Sequence, residues 1–232
     1  MPRHQRRNLT GKTESVFLNI PYDSPFENLY LAYIAGVSAF GLKPRAALEI
    51  PSSNRRLDRV LNLIQECEYS IHDLSRVELD RTPPSTPRFN MPFELGLTVA
   101  LEKIAIPGHG WVVCESRRFR LKKSLTDLDG TDPYIHDGTI LGLFRELGNA
   151  FVRNQNQPSV EEMTKVYRIL RALQERIATG WSQSSVQCAR VSRFIGFGQC
   201  RGRPGDFEIG VASEHPTVMQ IKRRPPSWPT GG

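Results

Sequence analysis

The sequence predicts an α/β fold: a doubly wound parallel sheet with helices on both faces, followed by a C-terminal helix and a basic tail. Three observations lead there. Short apolar runs alternate along the chain with segments of helical periodicity, which is the pattern of a parallel sheet wrapped by right-handed crossovers. The 232 residues, 39% apolar and 24% charged, are globular in kind and enough for one ordinary domain with extensions. The charge excess lies at the two ends, which sets them apart from the rest.

The elements follow in order. Ser15–Ile20 reads as a short buried strand bounded by Pro21. Ser24 and Pro25 then open a helix with Phe26, Leu29, Tyr30, Tyr33, Ile34 and Val37 on one face, closed by Gly41. Leu42–Ile50 is a second strand whose Pro44 argues for a sheet edge. Asn54 can cap a helix carrying Leu57, Val60, Leu61 and Ile64 at helical spacing. Glu68–Leu74 is a third strand, with Asp73 near its end. Ser75–Asn90 is a proline-bearing, charged loop, and connections of that length are often functional. Pro92 opens a helix through Leu101, and Gly110–Glu115 is a fourth strand. Lys122–His136 is polar and turn-rich, Gly138–Val152 is a helix, and Asn154–Pro158 is a linker. Val160, Met163, Tyr167, Leu170, Leu173 and Ile177 mark a last amphipathic helix. The domain thus spans 15–153, flanked by a basic extension over 1–14, the helix of 159–181, and a tail over 182–232 that reads as disordered apart from a candidate strand at Val191–Phe197.

Composition narrows the function classes. The net charge of +7 invites a nucleic-acid reading, but residues 1–14 carry four basic side chains and one acid, and residues 182–232 carry seven and three. The middle is balanced at 20 basic against 20 acidic residues, so the expected domain has no charge surplus. The basic ends can touch RNA or DNA phosphates weakly and without sequence choice; solubilising ends are the simpler reading. No stretch approaches the roughly 20 apolar residues of a membrane helix. The basic N-terminus is followed by no apolar run, so it is not a secretory signal. Cys67, Cys114, Cys188 and Cys200 lack disulfide or zinc spacing and read as reduced thiols in a cytoplasmic protein. Neither a metal site nor a cofactor fingerprint is present: Gly11-Lys12-Thr13 imitates a P-loop but has Arg6 where the first glycine belongs.

In doubly wound sheets, ligands bind outside the carboxyl ends of the strands. That rule selects Asn19–Asp23, Asp73–Arg76 and the opening of the Pro92 helix. Within the last, Glu94 falls in the first turn, where the helix dipole and free N–H groups would keep a carboxylate ionised at neutral pH. Gly96 lowers helix propensity by about 1 kcal/mol relative to alanine, a cost that close approach of a strand or ligand would explain. An ionised, partly buried glutamate is a usable nucleophile toward a sugar carbon, because that transition state is oxocarbenium-like. A glutamate that only stabilises the helix end fits the same spacing. Asp73 points into the same crevice, to hold ribose hydroxyls or to cap the following turn. His72, facing the other way by strand alternation, reads as structural. Asn19, Tyr22 and Asp23 form the first loop and can contact a base or sugar, or serve turn chemistry alone. Arg76 and Arg88 flank the long loop and could meet a phosphate or simply be solvated. Ser75 and Asn90 complete the set of expected binding residues.

Three segments carry a resemblance. Val16-Phe-Leu-Asn-Ile-Pro-Tyr-Asp23, Cys67-Glu-Tyr-Ser-Ile-His-Asp-Leu-Ser75 and Phe93-Glu-Leu-Gly96 together resemble the nucleoside 2-deoxyribosyltransferase-like superfamily, a flavodoxin-like relative of TIR domains, over residues 15 to about 150. The string Ile-His-Asp-Leu-Ser-Arg with Arg-Phe-Asn-Met-Pro-Phe-Glu-Leu-Gly also looks like a bacterial branch of it. The resemblance implies a flavodoxin-like sheet, Glu94 as nucleophile at the anomeric carbon, and Asp73 as a ribose ligand or an assistant at the leaving base. Asn19 and Tyr22 would line the pocket. Two features depart from the pattern: Arg88-Phe-Asn-Met-Pro92 replaces a small, Gly/Ser/Thr-rich turn, and Asn19-Ile-Pro-Tyr-Asp23 replaces a glycine-bearing loop. A nucleotide or NAD is therefore as plausible a substrate as a free deoxynucleoside. The TIR kinship further suggests bacterial defence or nucleotide signalling and, because such enzymes often complete their sites across subunits, a homo-oligomer.

The expectation is thus cleavage or transfer at the N-glycosidic bond of a nucleoside, nucleotide or NAD. It competes with a non-enzymatic nucleotide-sensing module using the same crevice, and with an interaction domain that docks through its last helix and basic tail. The glycosidic expectation carries a geometric condition: the carboxyl groups of Glu94 and Asp73 must share one sugar-sized hollow.

Overall fold

In the computed structural model, the described residues are 14–47, 55–79, 83–128, 130–153, 157–179 and 219–221. Five strands form one all-parallel sheet: β1 (Ser15–Asn19), β2 (Lys43–Arg45), β3 (Tyr69–Asp73), β4 (Gly110–Glu115) and β5 (Tyr134–Ile135), in the order β2-β1-β3-β4-β5. This is the flavodoxin-like order, and it places the topological switch point between β1 and β3. The helices are α1 (Glu27–Ala39), α2 (Arg56–Glu66), α3 (Asn90–Ile104), the short α4 (Arg120–Ser124), α5 (Ile140–Ala150) and α6 (Val160–Thr179).

Strand alternation divides the core. Val16 and Leu18 of β1, Ile71 of β3, and Val112 and Cys114 of β4 face α1 and α5. Phe17 faces the other way, onto Val60, Leu63 and Ile64 of α2. Val113 of β4 packs with Met91 and Leu95 of α3 and Leu121 of α4. The sheet is therefore covered on both faces, as the sequence pattern requires.

The α1 helix is buried over eight successive residues, Tyr30 to Val37, and so has no solvent face through that stretch. The reason lies in α6, which packs on α1 and α5 through Met163, Val166, Tyr167 and Leu170 as a third layer. The last helix therefore belongs to the body of the domain and is not a free docking element; its apolar stripe is used internally. Gly36 allows the neighbouring contact with α5: a Cβ there would come 2.5 Å from Leu147 Cδ1.

Several boundaries differ from expectation for identifiable reasons. The α3 helix begins at Asn90, two residues before Pro92, because a proline is tolerated throughout a first turn whose N–H groups lack intrahelical partners. The turn-rich segment 122–136 contains β5, a two-residue strand too short to show a period; it pairs Cys114 with Tyr134 and Glu115 with Ile135. The helix expected to reach Val152 stops at Ala150, and Phe151–Arg153 forms β6. In the tail expected to be disordered, Met219–Ile221 forms β7, antiparallel to β6. The second strand is shorter than expected, at Lys43–Arg45. Asn54, residues 48–50, most of the linker, Val191–Phe197 and the basic N-terminus lie outside the described residues. Cys67 and Cys114 are buried free thiols. Among the described residues, no helix is long and apolar enough to cross a membrane.

Candidate functional site

Beside the carboxyl end of β1, between that strand, α2 and α3, lies a cavity of about 260 Å³. Asn19 closes β1 and is buried there. Its amide nitrogen Nδ2 donates to the Met91 carbonyl at 3.0 Å and to His72 Nδ1 at 2.8 Å. The Met91 carbonyl can only accept, so the amide orientation is set by chemistry: Nδ2 faces Met91. The Asn19 carbonyl oxygen Oδ1 is left buried without a partner on a residue that lines the cavity.

Glu94 lines the same cavity at 6% exposure. It stands on α3 three residues after Met91, so the two share a helix face. Expected in the first turn and ionised, it instead sits at the fifth helical residue, past the free N–H groups. Burial pushes its carboxyl up from an ordinary 4.5 to about 7, although the Arg56 guanidinium, with Nη2 at 3.8 Å from Oε1, pulls the other way. Near neutral pH the group is therefore a mixture of acid and carboxylate. Arg56 also donates from Nη1 to the Tyr22 hydroxyl at 3.0 Å and lies 5.8 Å from the centre of its ring. Tyr22 and Arg56 are partly exposed and mark the rim, and Arg59 adds a second cation to the wall.

Asp73 is not part of this cavity. It shares the sheet face of Ile71 and Cys114 and is fully buried on the α1 side. Tyr33 donates to Asp73 Oδ2 at 2.6 Å, His136 Nε2 lies 3.1 Å from the same oxygen, and the Ser75 N–H donates to Oδ1 at 2.7 Å. The Gly138 N–H donates to His136 Nδ1, which leaves Nε2 as that ring's donor toward Asp73. Burial first, and the Asp73 charge second, hold the Tyr33 hydroxyl well above its ordinary range; the same two causes push the Cys114 thiol up. Asp73 thus anchors a sealed polar network joining α1, β3 and the β5–α5 turn. The two carboxyl groups lie on opposite faces of the sheet, and the geometric condition for two-carboxylate glycosidic chemistry fails.

The other expected residues separate as follows. Asn19 and Tyr22 join Glu94 at the cavity. Ser75 belongs to the Asp73 network, where its hydroxyl lies 3.1 Å from His136 Nε2. Asp23 pairs through Oδ2 with Arg76 at 2.6 Å and Arg88 at 3.2 Å, so the two arginines brace the first loop against the long one. Asn90 is exposed at the start of α3. Gly96 is exposed, and a Cβ there would meet nothing within 4 Å; no close approach explains it. His72, read as structural, orients Asn19. Burial and the neighbouring His109 lower it to about 3, so its ring stays neutral.

Arg56 and Arg59 were not singled out in the sequence, although a signal existed. Arg55 and Arg56 open α2, where the helix dipole disfavours cations, and such a violation points to a local partner. His136 carried no comparable signal. Among the described residues, no group of three or more His, Cys, Asp or Glu gathers as a metal site. No known protein family, curated protein or solved structure matches the chain.

Proposed function

We propose that the chain is a nucleoside- or nucleotide-binding domain and that the cavity beside β1 is its ligand site. The observation that carries this is one cavity lined both by Asn19, whose buried carbonyl has no partner, and by Glu94, whose carboxyl is buried. A buried acceptor left without a donor costs about 1–3 kcal/mol, and a ligand hydroxyl or N–H would recover it. Tyr22 offers an aromatic surface at the rim, and Arg56 and Arg59 suit an anionic group. The volume of about 260 Å³ takes a nucleoside-sized group, so a dinucleotide such as NAD would enter by one half only. The flavodoxin-like strand order, with a glutamate on the helix after β3, agrees with kinship to the deoxyribosyltransferase-like superfamily.

A second reading is favoured by the near-neutral ionisation of Glu94. Groups tuned toward working pH inside clefts are candidates for chemistry. With Asp73 withdrawn, Glu94 would act alone. Its carboxylate would attack the anomeric carbon, and the C–N bond would break with its electron pair going to the base nitrogen, which takes a proton from water. Water or a second acceptor would then release the sugar from the ester and restore Glu94. A role in bacterial nucleotide signalling or defence is compatible with either reading.

The test is a panel of nucleosides, nucleotides and NAD added to the purified chain, with melting temperature and free base as readouts. Binding should raise the melting temperature. Base release that disappears in Glu94→Gln makes the domain a one-carboxylate glycosidase; stabilisation without release makes it a sensor. Neither stabilisation nor release with any member overturns the proposal.

A further inference from the structure

We infer that the cavity beside β1 is a proton-coupled anion site: an oxyanion group of the ligand takes the Arg56 guanidinium from Glu94, and the Glu94 carboxylate takes up a proton from the solvent. The inference rests on the cavity being a ligand site, as proposed above. It adds the charge class of the ligand and a coupling of binding to pH. Three features lead to it. First, Arg56 is within reach of a ligand. It lines the cavity, and its side chain is 48% exposed. Of the five N–H groups a guanidinium carries, Tyr22 engages one, and among the described residues no other is hydrogen-bonded. Second, the hold of Arg56 on Glu94 is loose. With Nη2 at 3.8 Å from Oε1 the two form an ion pair without a hydrogen bond, whereas a phosphate or sulfate oxygen can approach to hydrogen-bonding distance. Third, the charges lining the cavity favour an anion. Arg56 and Arg59 stand against the carboxylate of Glu94, and protonation removes even that charge.

The direction of the proton follows. Burial already inclines Glu94 to keep its proton, and Arg56 is the pull the other way. Losing that partner and gaining an anionic neighbour both favour the acid form. An anionic ligand would therefore meet Glu94 as a carboxylic acid, while an uncharged one would leave the ion pair in place. The other titratable or charged groups lining the cavity are Arg59 of α2, Tyr22 of the first loop and Tyr30 of α1. Behind them His72 of β3, which meets Asn19, keeps a neutral ring.

Titration calorimetry with adenosine, adenosine 5′-monophosphate and inorganic sulfate, at pH 7 and pH 8.5, tests this on the full chain. Sulfate does not titrate in this range, and the second ionisation of a phosphate ester lies near pH 6, so neither probe gains much charge. Binding of the monophosphate or of sulfate should weaken by about threefold or more between the two pH values, and adenosine should not change. In Glu94→Gln, verified as folded by circular dichroism, that loss should vanish. In Arg56→Gln, monophosphate binding should fall by about tenfold or more with adenosine little altered. Sulfate binding that follows this pattern while adenosine and its monophosphate fail to bind supports the inference and removes the nucleoside reading. Adenosine binding without either anion overturns the inference and leaves that reading intact. So does anion binding that is steady from pH 7 to 8.5, that adenosine matches in its fall, or that weakens equally in Glu94→Gln. Loss of both ligands to the same extent in folded Arg56→Gln also overturns it, and binding by none of the three removes inference and reading together.

Discussion

Glu94 links stability to pH in a direction that can be worked out. Its carboxyl is raised to about 7 in the folded chain and returns to about 4.5 on unfolding. The folded state therefore holds the proton more tightly, and the stability this contributes is complete below pH 4.5. It is lost as pH climbs through 7. At 1.36 kcal/mol per unit, the swing is up to about 3 kcal/mol. Glu94→Gln should remove that slope, so urea midpoints of the variant and the parent should converge at pH 5 and separate, with the variant higher, at pH 8. Parallel pH profiles would show that Glu94 is not desolvated as described. Asp73 makes the opposite case. Asp73→Asn leaves donors facing donors in a sealed network and should cost about 3 kcal/mol, while nucleoside affinity measured on the folded variant stays the same. Strand alternation correctly told that His72 and Asp73 face opposite ways. It could not tell which face carries α3, because that depends on the side taken by a crossover. The cavity consequently takes Asn19, whose side chain meets His72, together with Glu94, and Asp73 does not line it.

Among the elements, α3 and the turn into α5 respond differently to the same change. Gly96 sits in mid-helix with open space around it, so Gly96→Ala should add roughly 0.5–1 kcal/mol and raise the melting temperature without altering ligand affinity. A loss of affinity would restore the idea that a ligand approaches the backbone there. Gly142 is the reverse. A Cβ on it would lie 2.3 Å from the His136 carbonyl oxygen and 2.6 Å from the Thr139 hydroxyl that caps α5. Neither can withdraw easily: Asp137 and Gly138 hold the turn in the left-handed region at φ 53° and 70°. Gly142→Ala should therefore destabilise by on the order of 2 kcal/mol in denaturant unfolding. These elements differed in how much the sequence revealed. Strands β1, β3 and β4 were legible as apolar runs, and α2 as a clean amphipathic stripe. The brief β5 and α4 were not, because two and five residues cannot establish a period.

At the scale of the whole molecule, α6 decides how α1 is buried. Its stripe was legible as amphipathic, but nothing local could show that the facing surface is the chain's own α1 and α5. Removing residues 158–232 takes away Met163 and the rest of the α6 stripe and should uncover the apolar side of α1 and α5 that it covers, leaving a protein that binds a hydrophobic dye and aggregates on sizing. A soluble, dye-silent truncation would show that α6 is dispensable.

The short outer strands have a consequence of their own. At one margin, β2 offers three residues, one of them Pro44 with no N–H to give; at the other, β5 offers two. Neither margin, as seen among the described residues, can template a further strand, so neighbouring copies gain little by continuing one another's sheet. Among the described residues, then, the five-stranded sheet leaves self-association to surfaces other than its own two margins.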